Sequence, residues 1–310
     1  MTLPADLGPL GLGEIFDPPL NAPPPAPPPY GSGAHVHLGE ISASLLGQPA
    51  WSLVIKLFPA MDPKEAMALV EFGSLWFDDR VVFDPMADIS AKNFRLNLPA
   101  YGPRVYYEID PARLALRDGD LLVYDKEAGP PTVPAPHDSK NNLLAALERY
   151  TGLTLRAPHR LDAATSGLTI VAANRLAASR LGQAFSTGKI KKRYLALTRG
   201  PKPAFEKTLV EAVISKEAGR YKASAGGPGY PSRTALTVLG EYGDKVLFLA
   251  EPLTGRTHQI RLHMAYLGYP IEGDRLYGGG EAPRLMLRAS GLAFGHPGTG
   301  KAVTLGGPWP

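Results

Sequence analysis

The chain has 310 residues and no cysteine, which excludes disulfide frameworks, thiol nucleophiles, iron–sulfur clusters and cysteine-ligated zinc. With 44% hydrophobic and 20% charged residues, it holds enough apolar material for one large domain or two modest ones, despite 32 prolines and 34 glycines. The net charge is only +4, but it is unevenly placed: residues 1–50 carry four acids and no Lys or Arg, whereas residues 156–193 carry eight Lys or Arg and one acid, Asp162.

Eight prolines among residues 18–29 allow only polyproline or coil, so residues 1–50 are read as a Pro-rich extension. Residues 51–110 read as a small α+β segment. Pro63 to Val70 suits a short helix, and Leu75 to Phe83 and Asn93 to Leu98 suit strands. Asp118-Gly119-Asp120 is a turn ahead of the apolar run Leu121 to Tyr124. Ser139 is placed to cap a helix that buries Leu143, Leu144 and Leu147. Leu168 to Ala172 is a short apolar strand. Asn174 then caps a second helix with Leu176, Leu181, Ala184 and Phe185 on one side, ended by Gly188. Strands follow at Tyr194 to Thr198, Thr208 to Ile214, Thr234 to Leu239 and Val246 to Ala250. A third helix is expected from Thr257 to Leu267, with Ile260, Met264 and Leu267 as its apolar stripe and His258, Arg261 and Ala265 opposite. Strands joined mostly by short turns favour a mixed, mainly antiparallel α+β fold, with residues 111–310 as the main domain.

Two segments carry chemistry. The first is His159-Arg160-Leu161-Asp162 followed by Thr165-Ser166-Gly167-Leu168, which puts a carboxylate on a loop before a buried strand. A guanidinium such as Arg160 nearby would favour the ionised carboxylate and orient it. The ordinary role of such an Asp is to cap a turn. The second is Thr254-Gly-Arg256-Thr-His258-Gln-Ile-Arg261-Leu-His263, in which His258 and Arg261 share a face near a helix N-terminus that suits an anion. His258 and His263 are five residues apart and point away from each other, unlike the i, i+4 pair of a zinc site. Gly295-His-Pro-Gly-Thr-Gly300-Lys301-Ala302 nearly matches a phosphate-binding loop, but Ala302 replaces the magnesium-holding hydroxyl, so it reads as a Gly-rich turn between two closing strands. With no dinucleotide fingerprint either, the expected reaction needs no cofactor and no metal. The basic stretch suits a polyanion or, equally, a solvated face. No apolar run reaches the ~18 residues of a membrane helix, and the N-terminus lacks a secretory signal pattern, so a cytoplasmic protein is expected.

His159-Arg-Leu-Asp162 with Thr165-Ser-Gly-Leu168 resembles the catalytic signature of the RluA-type pseudouridine synthases. Leu121 to Gly129 is similar to the family's opening strand, with Lys126-Glu127 where Lys-Pro is common. Lys192-Arg193-Tyr194 is similar to its Lys-x-Tyr strand. Thr254 to His263, with Leu267-Gly-Tyr-Pro-Ile-Glu-Gly-Asp274 and Tyr277-Gly278, is similar to its long third motif. Leu285 to Ala289 and His296-Pro297 resemble its closing strands. These matches keep the family's order over residues 115–310. The resemblance implies isomerisation of uridine in ribosomal or transfer RNA, with Asp162 as the catalytic carboxylate, Tyr194 packed on the target base and Arg261 paired with Asp162. It implies RNA contacts from His159, Arg160, Lys192, Arg256 and His258; a monomer without an obligate protein partner is the default expectation. Glu71 to Phe83, with Asp78-Asp79 at its turn, is either a degenerate form of the ribosomal-protein-type RNA-binding domain found in many relatives or an unrelated extension. A non-catalytic RNA-binding protein with the same fold is the alternative. A two-carboxylate glycoside hydrolase would have to use the distant Glu272 or Asp274.

Overall fold

A computed structural model describes residues 35–98, 106–135, 138–217 and 219–306. The Pro-rich run at 18–29 lies outside them. The chain divides into two compact units: a smaller one running to Ile109 and joined by Pro131–Gly152, and a larger one made of Asp110–Pro130 and the chain from Leu153 onward.

The smaller unit holds strands β1 (His35–Glu40), β2 (Leu75–Phe77), β3 (Arg80–Val81) and β4 (Asn93–Leu98) in the antiparallel order β1-β4-β2-β3. Helices α1 (Trp51–Leu57) and α2 (Pro63–Glu71) supply Leu53, Val54, Leu69 and Val70 to a core shared with Leu75, Leu96 and Leu98. Asp62 caps α2 by accepting from Lys64 N at 2.7 Å. The segment from Leu75 to Phe83, read as strand with a turn at Asp78-Asp79, is a hairpin of β2 and β3. Its turn places Asp78 and Asp79 at positive φ (43° and 66°), the conformation a two-residue hairpin turn demands. The expected extension over residues 1–50 differs in its last part: residues 35–40 pair along their length with β4. Their alternation gave no inward signal because Val36 and Leu38 both face solvent.

Helix α3 (Leu143–Thr151) belongs to this unit and buries Leu143, Ala146 and Leu147. Its cap is Asn142, which accepts from Ala145 N at 3.0 Å. Ser139, expected to cap it, instead donates to the Phe72 carbonyl. Asn cannot be told from Ser as a cap by type alone, since both carry a suitable acceptor.

The larger unit is one ten-stranded sheet in the order β10-β9-β11-β12-β8-β13-β7-β6-β5, with β14 on β13. The strands are β5 (Leu114–Asp118), β6 (Leu121–Lys126), β7 (Ser166–Ala172), β8 (Lys191–Arg199), β9 (Lys207–Glu217), β10 (Arg220–Ser224), β11 (Tyr230–Tyr242), β12 (Lys245–Pro252), β13 (Leu287–Gly295) and β14 (Ala302–Leu305). Only β13 and β7 run parallel; the other pairs are antiparallel, as a mixed, mainly antiparallel α+β fold requires. Helix α4 (Arg175–Ser186), capped by Asn174, packs Ala177 and Leu181 onto Leu121, Val123, Ile170 and Phe294. Leu176, assigned from sequence to its buried side, is exposed, because Ala177 and Leu181 define the inward face. Helix α5 (Gln259–Tyr266) packs Ile260 and Met264 against Ala196, Phe248 and Leu287. The Gly-rich segment after β13 is a turn: His296 Nδ1 accepts from Gly298 N and Thr299 N, and the chain returns as β14.

Strand β7 is buried at every position, and it fixes the geometry that follows. In the ladders Gly167 lies opposite Ala289 of β13, and Ala289 lies opposite Tyr194 of β8. Gly167 has φ +112°, and a Cβ there would stand 2.3 Å from the Ala289 carbonyl oxygen. Only glycine permits this approach.

Candidate active site

Asp162 sits on the loop that enters β7. The loop is held from below by Lys126, whose side chain is fully buried and whose ammonium donates to the carbonyls of Glu127 (2.7 Å), Pro130 (3.0 Å) and Ala163 (3.0 Å). Gly129 N adds a second bond to the Ala163 carbonyl at 2.8 Å, and Thr165 N closes a turn onto the Asp162 carbonyl at 3.0 Å. Leu161 and Thr165 are buried, while the Asp162 side chain remains 22% exposed at the floor of a cleft of about 600 Å³.

Arg261 is the neighbour of Asp162. Its Nη1 lies 3.5 Å from Asp162 Oδ2. Its Nε and Nη2 grip Asp274 at 2.8 and 2.7 Å, a fork-on-carboxylate pair that fixes the guanidinium plane. Asp274 is fully buried and also accepts from Leu276 N and Tyr277 N. The Tyr277 ring lies under the guanidinium at 5.0 Å. Arg261 was expected on the polar face of its helix, and that face is buried: Gln259, Arg261 and His263 all lie out of solvent. Asp274 and Tyr277 were not assigned to the site from sequence. The signal in the sequence was their place in the third motif, and the burial of Arg261 supplies the physical reason, since a buried arginine requires a buried counter-charge.

His258 does not begin the helix as expected. It is the N-cap of α5 in a left-handed conformation (φ 55°, ψ 20°), and the helix starts at Gln259. The ring still reaches the site: Nε2 is 3.8 Å from Asp162 Oδ2, and Nδ1 is 2.6 Å from the Tyr277 hydroxyl. Burial lowers its pKa, opposed by the Asp162 carboxylate and reinforced by Arg261. Gln259 rivets this loop to β11. Its Oε1 accepts from Thr254 Oγ1 and Arg256 N, and its Nε2 donates to the Arg233 carbonyl and Thr234 Oγ1.

Tyr194 lines the same cleft from β8, two strands from β7. Burial, and then the charge of Asp162, push its hydroxyl pKa upward, so it stays a neutral ring. Arg160, Lys192 and Arg256 complete the lining. Lys192 donates to the Thr254 carbonyl at 3.3 Å, and burial lowers its pKa. Arg256 lies over the Tyr230 ring at 5.4 Å. His159, of which an RNA contact is expected, also lines the cleft. Its Nε2 accepts from Ile170 N at 2.8 Å, its ring stacks on Phe185 at 4.4 Å, and burial takes its pKa down to about 3. It therefore braces the loop as a neutral ring.

Asp162 is the one carboxylate among the described residues that line this cleft. Glu272 is tied to Arg199, and Asp274 to Arg261, which leaves a two-carboxylate hydrolysis without its second acid. Among the described residues no three His, Asp or Glu side chains cluster as metal ligands, and no helix is long and apolar enough to cross a membrane.

A mainly antiparallel sheet that presents one arginine-braced Asp beside a tyrosine defines a single-carboxylate site, and the sequence profile of the RNA pseudouridylate synthases matches residues 120–266. The chain belongs to that family. It is 34% identical over 200 residues to the dual-specificity RNA pseudouridine synthase RluA of Escherichia coli, covering 62% of this chain and 90% of that one. It is 33% identical over 209 residues to ribosomal large subunit pseudouridine synthase C of Salmonella typhimurium, covering 62% of this chain and 64% of the relative's length. Among solved structures, human RNA pseudouridylate synthase domain containing 1 superposes with a TM-score of 0.53 at 31% identity, covering 66% of this chain and 87% of that one.

Proposed function

We propose that the protein isomerises uridine in structured ribosomal or transfer RNA to pseudouridine. The observation that carries this reading is a lone carboxylate, Asp162, facing a cleft lined by Arg160, Lys192, Arg256, Arg261 and Tyr194. The target uridine leaves its stack to enter the cleft. Tyr194 offers a ring face to the flipped base, an interaction worth ~1–3 kcal/mol. Arg160, Lys192 and Arg256 take backbone phosphates. Asp162 acts at the ribose as the bond to N1 breaks, and Arg261 holds its direction. The base then turns and reattaches through C5. Atoms are conserved, so the chemistry draws on no redox or energy source. The reading carries with it a monomer working in the cytoplasm.

The test is tritium release from RNA labelled at uracil C5, comparing wild type with Asp162→Asn on transcribed transfer and ribosomal RNAs. Release by wild type alone is expected. Retained RNA binding without release by wild type would favour a non-catalytic RNA-binding protein. Equal release by both proteins would remove Asp162 from the chemistry.

A further inference from the structure

We propose that His258 is the base that takes the proton from C5 of the rearranged uracil, with Tyr277 fixing its tautomer. The inference rests on the isomerase reading above and assigns a step that Asp162 and Arg261 leave unfilled. Once the C1′–N1 bond has broken and the C1′–C5 bond has formed, C5 is tetrahedral and holds both the sugar and its original hydrogen. The C5–H bond must break, its electron pair must restore the C5–C6 double bond, and N1 must end with a proton. His258 Nε2 accepts the C5 proton and becomes imidazolium; it then releases a proton by way of solvent, and N1 is protonated. Nothing is gained or lost overall, and the original C5 hydrogen passes to water.

Geometry selects His258 for this step. The proton to be removed sits on the carbon bonded to C1′, the atom on which Asp162 acts, and His258 Nε2 stands 3.8 Å from Asp162 Oδ2. The other titratable side chains around that point are poor acceptors. Arg261 keeps its charge and is gripped by Asp274. Tyr194 stays in its O–H form. Lys192 donates to the Thr254 carbonyl. For Nε2 to be the free base, Nδ1 must carry the hydrogen, and the Tyr277 oxygen 2.6 Å away is the acceptor that holds it there. The groups facing the imidazole are Asp162 and Arg160 from the loop before β7, Arg261 from α5, Asp274 and Tyr277 from the segment after it, and Tyr221 from β10 with its ring 5.7 Å away. Burial opposes the protonated form, so the ring is neutral and able to accept at ordinary pH. The left-handed backbone at His258 is a further sign of a position imposed by its surroundings, since residues with a Cβ adopt it at a cost.

The experiment follows single-turnover isomerisation of RNA containing uridine or C5-deuterated uridine. His258→Asn is the main variant, because Asn tolerates left-handed backbone but cannot act as a base. Wild type should show no primary isotope effect. His258→Asn should be slower by ~10²–10⁴-fold, the usual yield of a general base, and should acquire a primary isotope effect. Imidazole in solution should partly restore His258→Ala, and Tyr277→Phe should fall between His258→Asn and wild type. A His258→Asn rate close to wild type, or a slow rate with no isotope effect, would reduce His258 to a structural residue and overturn the assignment. Thermal melts of the three variants separate lost chemistry from lost folding. Absence of any isomerisation by wild type would remove the underlying reading and this one together, whereas isotope-insensitive variants of an active protein would remove this one alone.

Discussion

Replacing Gly167 with Ala tests whether the close passage of β7 past β13 holds the site together. Two costs combine. At φ +112° a residue with a Cβ sits in strained backbone, worth roughly 1–3 kcal/mol. The new Cβ would also meet the Ala289 carbonyl oxygen at 2.3 Å and its nitrogen at 2.6 Å, both backbone atoms within a sheet. Overpacking of that kind costs about 1–3 kcal/mol. The sum is about 2–6 kcal/mol, a large fraction of the roughly 5–15 kcal/mol that stabilises an ordinary domain. Gly188→Ala supplies the control: its φ is +69°, but no atom lies within 4 Å of the added Cβ, so only the backbone cost of roughly 1–2 kcal/mol remains. Urea unfolding of both variants gives the difference directly, and single-turnover isomerisation reports the site. Gly167→Ala should be the less stable of the two by about 1–3 kcal/mol and should lose activity even where it remains folded. Equal stability would show that the β7–β13 approach yields freely, and the geometric argument for Asp162 would fail.

Asp274→Asn leaves Arg261 buried without its counter-charge and should destabilise the protein by about 3 kcal/mol, read by urea unfolding, while slowing single-turnover isomerisation with Asp162 intact. Arg160→Ala should weaken RNA binding, and the slope of log affinity against log salt should become shallower by about 0.7 for each single-strand phosphate that the arginine no longer neutralises. His263 is buried, its Nε2 meets Ser232 Oγ at 2.8 Å, and burial takes its pKa down to about 4. The folded protein therefore resists a proton that the unfolded chain accepts near pH 6.5. Stability from this group is complete above pH 6.5 and is lost as pH falls toward 4, on the order of 3 kcal/mol in all. Urea midpoints between pH 7 and 4 should show that decline, and His263→Asn should flatten it.

The sheet was legible where apolar residues alternate or run together, as in β6, β7 and β12, and illegible where strands face solvent. Strand β10 has no buried residue, and β1 turns its two aliphatic side chains outward, so neither presented a pattern to read. The polar ends of β11, which runs from Tyr230 to Tyr242, were cut short for the same reason. At the site, Asp162 and Arg261 were named by the resemblance of their motifs; the residues alone offered a carboxylate before an apolar strand, whose ordinary role is to cap a turn, and an arginine sharing a helix face with His258. The helix-face argument that also gathered in His258 rested on a periodicity that stops at Gln259, and the left-handed backbone brings the imidazole to Asp162 by another route. Asp274 stands thirteen residues beyond Arg261 across a helix end and a turn, a separation with no period to expose it. His159 showed its type but not its surroundings: the Ile170 amide and the Phe185 ring hold it as a neutral brace among the residues that line the cleft.

Tyr194 and the entry to β7 are carried by strands of one sheet that meet at Ala289, with the Asp162 loop pinned by a buried ammonium. A floor built this way has little freedom to reach toward its substrate. On the proposed function, the bending needed to bring a uridine onto Tyr194 then falls on the nucleic acid, and a uridine already unpaired in a loop makes that movement at lower cost than one locked in a helix. On the proposed function, choice among RNAs would begin with how readily each strand deforms, before any base is read.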